Sequence, residues 1–469
     1  MLKYISTRGQ APRLSFADTT LAGLASDGGL YVPEFCPKIE PGEIGNMGNQ
    51  HYLEIAWRVI LPYVAEDLAS EELFALLKAS YKNFDVKEIA PLKQLEDNLY
   101  VLELFHGPTL AFKDIALQFL GQVFDHFLRL REERVTIIGA TSGDTGSAAI
   151  EAFRGKDNVN IFIFHPHKRV SDVQRKQMTT VTDPNVFNVA IEGSFDDCQD
   201  LVKAMFNDAT FRADMQLSAI NSINWARILA QVVYYIYAGA KVRHATDKPV
   251  SFCVPTGNFG NVYAGYVAQS MGLPVEKLLV ATNRNDILHR FFVSGRMKME
   301  GVTPTISPSM DIQISSNFER LLFDLFGRMP KAVEQTMAHF RKAGPFHLDD
   351  SVMTGVRKLF GSGRLDDNQT IEVIRRTHEK YGYVVDPHTA VGLGVAQAWL
   401  ADNPKTPVIS LATAHPAKFP EAVKRAIGVE PELPERLADL HTRPEKYDVL
   451  PNDLAKVQDF VRRSLKGAA

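Results

Sequence analysis

From Leu99 onward the chain alternates short apolar, β-branched runs with segments of helical periodicity, and this alternation restricts the fold more than any other feature. Leu99 to Phe105, Val135 to Ile138, Val159 to Phe164, Val186 to Ile191, Val250 to Val254, Leu278 to Ala281 and Val408 to Leu411 read as buried strands. Helical spacing begins near Asp114 and Thr145, then covers Ser171 to Val181, Phe195 to Asn207, a long run from Asn224 to Val242, and Asn261 to Met271. Repeated strand and helix units of this length imply an α/β class with open, mostly parallel, twisted sheets covered by helices on both faces. In such sheets ligands gather at the carboxyl ends of strands, in the loops that open the next helix. The chemistry is expected in those loops.

Residues 1–95 mix a turn and short strand (Ala25 to Pro33) with helical periodicity at Tyr52 to Tyr63 and Glu71 to Leu77, which predicts a mainly helical N-terminal domain. Residues 96–130 and 246–435 are read as one larger α/β domain, 131–245 as a smaller one threaded within it, and 436–469 as a C-terminal extension with one amphipathic helix. A chain of 469 residues is too long for one core. A net charge of -3 with short, mixed basic runs gives no footprint for nucleic acid. The longest apolar stretch, Ile223 to Ala240, is broken by Asn224, Arg227 and Gln231, so no membrane span is expected. The start has no signal-like apolar segment, and the odd, scattered Cys36, Cys198 and Cys253 suit neither a disulfide framework nor a metal cluster. A cytoplasmic location is expected.

Four loops fall where ligands gather. The first, His106-Gly-Pro-Thr-Leu-Ala-Phe-Lys-Asp114, puts Lys113 where a strand gives way to a helix. A helix N-terminus disfavours a cation, so such a lysine loses its proton more easily, as a Schiff-base nucleophile must; an ordinary solvated lysine is the alternative. The second, Ala140-Thr-Ser-Gly-Asp-Thr-Gly-Ser147, has the small residues that let helix-opening amides approach an anion, though a helix cap uses the same residue types. The third, Pro255-Thr-Gly-Asn-Phe-Gly-Asn261, suits a phosphate cup and lacks both nucleotide fingerprints. The fourth, Ala412-Thr-Ala-His-Pro-Ala-Lys-Phe-Pro420, offers Thr413 to a ring nitrogen or to its own turn, with His415 and Lys418 as solvated neighbours. A strand-end lysine, an anion loop and a separate phosphate cup together suit pyridoxal 5'-phosphate.

These four motifs, in this order, together with Leu14-Ser-Phe and Asp27-Gly-Gly-Leu-Tyr-Val-Pro33, resemble the threonine synthase family in its longer microbial and fungal form, over roughly residues 5 to 430. The resemblance implies pyridoxal-phosphate fold type II, tryptophan-synthase-β-like, with two α/β domains and an N-terminal accessory domain. It implies that Lys113 forms the internal aldimine and then acts as acid and base. It assigns the cofactor phosphate to Gly257, Asn258, Phe259, Gly260 and Asn261, and the pyridine nitrogen to Thr413. Ser142, Asp144 and Thr145 would lie at the substrate carboxylate loop, with Asp144 directed to the cofactor hydroxyl, the substrate amine or its own helix cap. The implied reaction converts O-phospho-L-homoserine and water to L-threonine and phosphate, the last step of threonine biosynthesis, by a carbon–oxygen lyase acting as a monomer or homodimer. His165-Pro-His-Lys-Arg169 ends a strand and offers Lys168 or Arg169 to the substrate phosphate, or is a solvated basic loop. Alternative readings are a pyridoxal-phosphate lyase on a hydroxy or phosphorylated amino acid, and a non-catalytic relative that keeps the cofactor.

Overall fold

The structure is a computed structural model that describes residues 2–342 and 344–467. Residues 1, 343, 468 and 469 of the expected segments lie outside the described residues. Among the described residues the larger sheet has six strands in the order Phe360–Arg364, Val275–Thr282, Val250–Pro255, Val408–Ala412, Leu99–Glu103, Leu92–Glu96. Its strands are parallel except for the antiparallel final pair. A smaller parallel sheet orders Asp448–Pro451, Val186–Glu192, Val159–Pro166, Val135–Ala140, Leu217–Ser218. The α/β class with mostly parallel sheets is therefore what the chain adopts.

The strand order creates one reversal. The chain runs outward from Val250–Pro255 through Val275–Thr282 to Phe360–Arg364, then returns to place Val408–Ala412 between Val250–Pro255 and Leu99–Glu103. Such a reversal opens a crevice at the carboxyl ends of the strands. The loop after Pro255, the loop after Ala412 and the loop after Glu103 flank it.

Helix Trp225–Thr246 is apolar around most of its circumference and almost wholly buried, as a helix at the centre of a large core must be. It packs against Tyr52–Val64, Lys113–Arg131 and Gly260–Met271. N-terminal residues therefore share one core with the larger sheet; Tyr52 and Tyr237, for example, meet edge-on with ring centroids 5.2 Å apart. Several elements differ from the sequence reading. Leu92–Glu96 joins the larger sheet although the N-terminal part was expected to run to 95, and helix 225–246 packs on the larger unit rather than within 131–245. The C-terminal extension holds a strand, Asp448–Pro451, beside its amphipathic helix Leu454–Gly467. From these contacts we propose that the smaller unit covers about 132–222 together with the last part of the chain.

Candidate active site

Lys113 is the first residue of helix Lys113–Arg131, and a short antiparallel contact fixes its position. Phe112 N–H donates to the Thr413 carbonyl at 2.9 Å and His415 N–H to the Leu110 carbonyl at 3.0 Å, with Ala111 bridged to Ala414. The first and fourth loops therefore lie side by side. The turn before Lys113 closes on Asp114, whose carboxylate accepts from Thr109 N–H at 2.8 Å and Thr109 Oγ1 at 2.7 Å. A Cβ on Gly107 would overlap Asp114, so the turn requires glycine. Burial pushes the Asp114 carboxyl up to about 6.

One carboxylate joins the two sides of the crevice. Asp144, first residue of helix Asp144–Phe153, sets Oδ2 3.1 Å from Lys113 Nζ and Oδ1 2.9 Å from Lys418 Nζ. Gln174 Nε2 donates to Oδ1 at 2.8 Å and Ser309 Oγ to Oδ2 at 3.1 Å. Burial would raise the Asp144 carboxyl, but the two ammonium groups hold it well below the usual carboxylate range. Burial also lowers Lys113 against the pull of Asp144, and the Lys418 charge adds to that lowering. Lys418 is not the solvated neighbour expected from sequence: it is fully buried, and its ammonium also donates to the Thr109 carbonyl at 2.7 Å and Gln177 Oε1 at 3.1 Å. Three donors thus meet three acceptors.

The third loop leads from strand Val250–Pro255 into helix Gly260–Met271, whose first amides have no partner within the helix. Phe259 bends the chain with φ 63° and buries its ring against Phe318, with centroids 5.2 Å apart. Gly257 faces Met310 and Ile312 so closely that an added Cβ would lie 2.9 Å from Ile312 Cδ1. Ser315 Oγ donates to the Gly257 carbonyl, Ser316 Oγ to Asn258 Oδ1 at 3.0 Å, and Asn317 N–H to the Asn258 carbonyl at 3.0 Å. Asn261 Oδ1 accepts from the hydroxyls of Tyr234 and Tyr235 at 2.5 and 2.9 Å, while its buried Nδ2 has no partner among the described residues. That orphan donor at a helix N-terminus fits a phosphate.

Thr413 is buried at the end of Val408–Ala412, and its N–H donates to Thr389 Oγ1 at 3.1 Å. Thr389 in turn bonds Asp386, which also holds His388 Nδ1 at 2.7 Å. His388 Nε2 accepts from Ser309 N–H at 3.2 Å, so the ring proton sits on Nδ1 and the imidazole is a fixed acceptor toward Ser309. In the second loop Thr141 Oγ1 accepts from Gly143 and Gly146 N–H, leaving Ser142 exposed and Thr145 half-buried. The structure thus brings Lys113, Asp144 and Thr413 together. Lys168 and Arg169 occupy an exposed turn and share no hydrogen bond or ion pair with the Lys113–Asp144 network among the described residues. Gln174, Gln177, Ser309, Asp386 and His388 went unnoticed in the sequence; the Asp-Pro start before His388 reads only as a helix cap.

The fold and this set of groups, a half-buried lysine paired with a buried carboxylate and a separate helix N-terminus with an unpartnered amide donor at a strand reversal, define a pyridoxal-phosphate-dependent enzyme of fold type II. The family model "Pyridoxal-phosphate dependent enzyme" matches residues 84–340. Those described as "Threonine synthase N terminus" and "Threonine synthase, C-terminal" match residues 3–81 and 389–461. A threonine synthase of Pseudomonas aeruginosa is 55% identical, with 98% of each chain covered. The crystal structure of a pyridoxal-phosphate-bound threonine synthase from Brucella melitensis superposes with TM-score 0.96 at 50% identity over 99% of both chains. That of the yeast threonine synthase superposes with TM-score 0.94 at 40% identity, again over 99% of both. The chain belongs to the threonine synthase family.

Proposed function

We propose that this protein converts O-phospho-L-homoserine and water to L-threonine and phosphate, with pyridoxal phosphate held on Lys113. The observation that carries the assignment is the Lys113 amine, half-buried at the crevice 3.1 Å from Asp144 Oδ2 and with its proton disfavoured. Bound there, the cofactor supplies an electron sink that acidifies the carbon next to the substrate amine. The Lys113 amine, when not bonded to the cofactor, would take and return protons at that carbon. The Gly257–Asn261 amides hold the cofactor phosphate. Thr413 gives the ring nitrogen a neutral hydroxyl partner, which leaves less cation character on the ring than a carboxylate would.

Ser142 and Thr145 bind the substrate carboxylate in this reading. Asp144, with two lysines on its oxygens, acts on ammonium groups rather than on that carboxylate, since a second anion there would be repelled. Lys168 or Arg169 meets the substrate phosphate, and Arg169→Ala should then raise KM for phosphohomoserine; unchanged kinetics would remove Arg169 from the site. The same proposal makes the protein a cytoplasmic monomer or homodimer, and no helix of the described residues is long and apolar enough to cross a membrane. The deciding assay incubates the holoenzyme with O-phospho-L-homoserine and measures both products. Equal amounts of phosphate and threonine are expected, whereas a keto acid in place of threonine would contradict the assignment.

A further inference from the structure

Beyond helix Pro420–Ile427 the chain passes over the Gly107–Pro108 turn before it reaches the smaller sheet. Arg436 donates from Nη1 to the Pro108 carbonyl at 2.7 Å and from Nη2 to the Gly107 carbonyl at 2.5 Å, with Nε on Asp85 Oδ2 at 2.7 Å. A guanidinium is a planar fork, so two successive carbonyls and a carboxylate fix it and the turn it holds. Immediately beyond, Leu437 and Leu440 form a small separate core with Leu110 of the Lys113 loop and Val173 of helix Asp172–Thr179.

The strap is then tied to that same helix. Lys176 Nζ donates to the His441 carbonyl at 2.9 Å, and Glu445 accepts from Arg175 Nε at 2.9 Å and Thr179 Oγ1 at 2.6 Å. Helix Asp172–Thr179 carries Gln174 and Gln177, which bond Asp144 and Lys418. One end of the strap therefore holds the loop of Lys113, and the other holds the helix that orients the Asp144 carboxylate. Each end bears on one partner of the Lys113–Asp144 pair.

We propose that Arg436 is a positioning residue that fixes the Gly107–Phe112 turn, and through it the Lys113 amine, against Asp144. Lys113 moves protons only if its amine is held within reach of the reacting carbon, and a misplacement of about 1 Å can cost on the order of 100-fold in rate. The inference rests on Lys113 being the cofactor lysine. Its test has one arm that does not.

In full-length protein without cofactor, amide hydrogen exchange over residues 107–113 should rise at least tenfold in Arg436→Ala, with exchange in helix Trp225–Thr246 unchanged. In the holoenzyme the same variant should lose at least tenfold in kcat with KM within threefold, and its kcat should peak at a different pH. Arg436→Lys, which keeps the charge and can reach one carbonyl, should recover part of both. Exchange and kcat within twofold of wild type would overturn the proposal. So would looser exchange with full kcat and an unmoved pH profile, because the loop would then be held to no catalytic effect. If Arg436→Ala fails to fold, Asp85→Ala decides by the same two readouts, with a smaller loss expected and none overturning the claim. Should chemical labelling mark a lysine other than Lys113 as the cofactor's, the exchange result would still stand while the reading it rests on would fall.

Discussion

At the scale of residues, Asp144 carries the heaviest electrostatic duty, since one buried carboxylate neutralises two ammonium groups, that of the buried Lys418 and that of the half-buried Lys113. Removing its charge leaves both lysines without a counter-ion in a low-dielectric site. Asp144→Asn should therefore lower stability by about 3–5 kcal/mol, the usual cost of breaking a buried ion pair from one side, read by urea unfolding near pH 7. Its folded carboxyl is depressed, so the contribution is complete above the unfolded carboxylate range and is lost as pH falls through the folded value. The variant should lack that acid-side loss. The sequence made Lys113 visible through its place at a strand-to-helix junction. It made Asp144 visible only as a loop residue, because nothing in local spacing says that Lys418, far along the chain, points at the same carboxylate.

At the scale of elements, the start of helix Asp144–Phe153 depends on an unusual backbone. Gly143 has φ 145°, and an added Cβ would lie 2.5 Å from Gln174 Oε1, the side chain that helps orient Asp144. Gly143→Ala should cost about 1–3 kcal/mol through backbone strain and should lower kcat as well, measured by thermal unfolding beside the threonine assay. The alternation of strands and helices was legible because strands central to a parallel sheet are apolar on both faces. The strands of the two large sheets that escaped lie at edges. Phe360–Arg364 contains two glycines, Leu92–Glu96 is largely polar, and Asp448–Pro451 is short and half exposed. Edge strands carry little hydrophobic pattern, so their pairing is set by tertiary contacts that local sequence does not encode.

At the scale of the molecule, two histidines, His165 buried and His415 half-buried, make stability depend on pH. Burial, with smaller effects from Arg175 and His167, pushes His165 down to about 4, and burial beside His106 does the same to His415. In the unfolded chain both take up protons near 6.5, whereas in the folded chain they stay neutral until about 4. The unfolded state therefore binds more protons across this window, and stability falls as pH drops through it. The limit is roughly 3 kcal/mol for each histidine. Urea midpoints between pH 7 and 4 should decline, and His165→Gln should flatten the decline. The sequence places His165 at a strand end, but only the packed sheet leaves its ring buried with neither nitrogen partnered among the described residues. The reversal in strand order that opens the crevice is likewise a property of the whole molecule, since no local pattern tells the strand at Val408 to insert between two earlier ones.

The central claim, that Lys113 holds pyridoxal phosphate, is tested most directly by reducing the coloured holoenzyme with borohydride, digesting it and locating the pyridoxyl group by mass spectrometry. The label is expected on the peptide containing Lys113 and absent from a Lys113→Ala protein. A label on Lys418, or on any other lysine of the wild-type chain, would contradict the account.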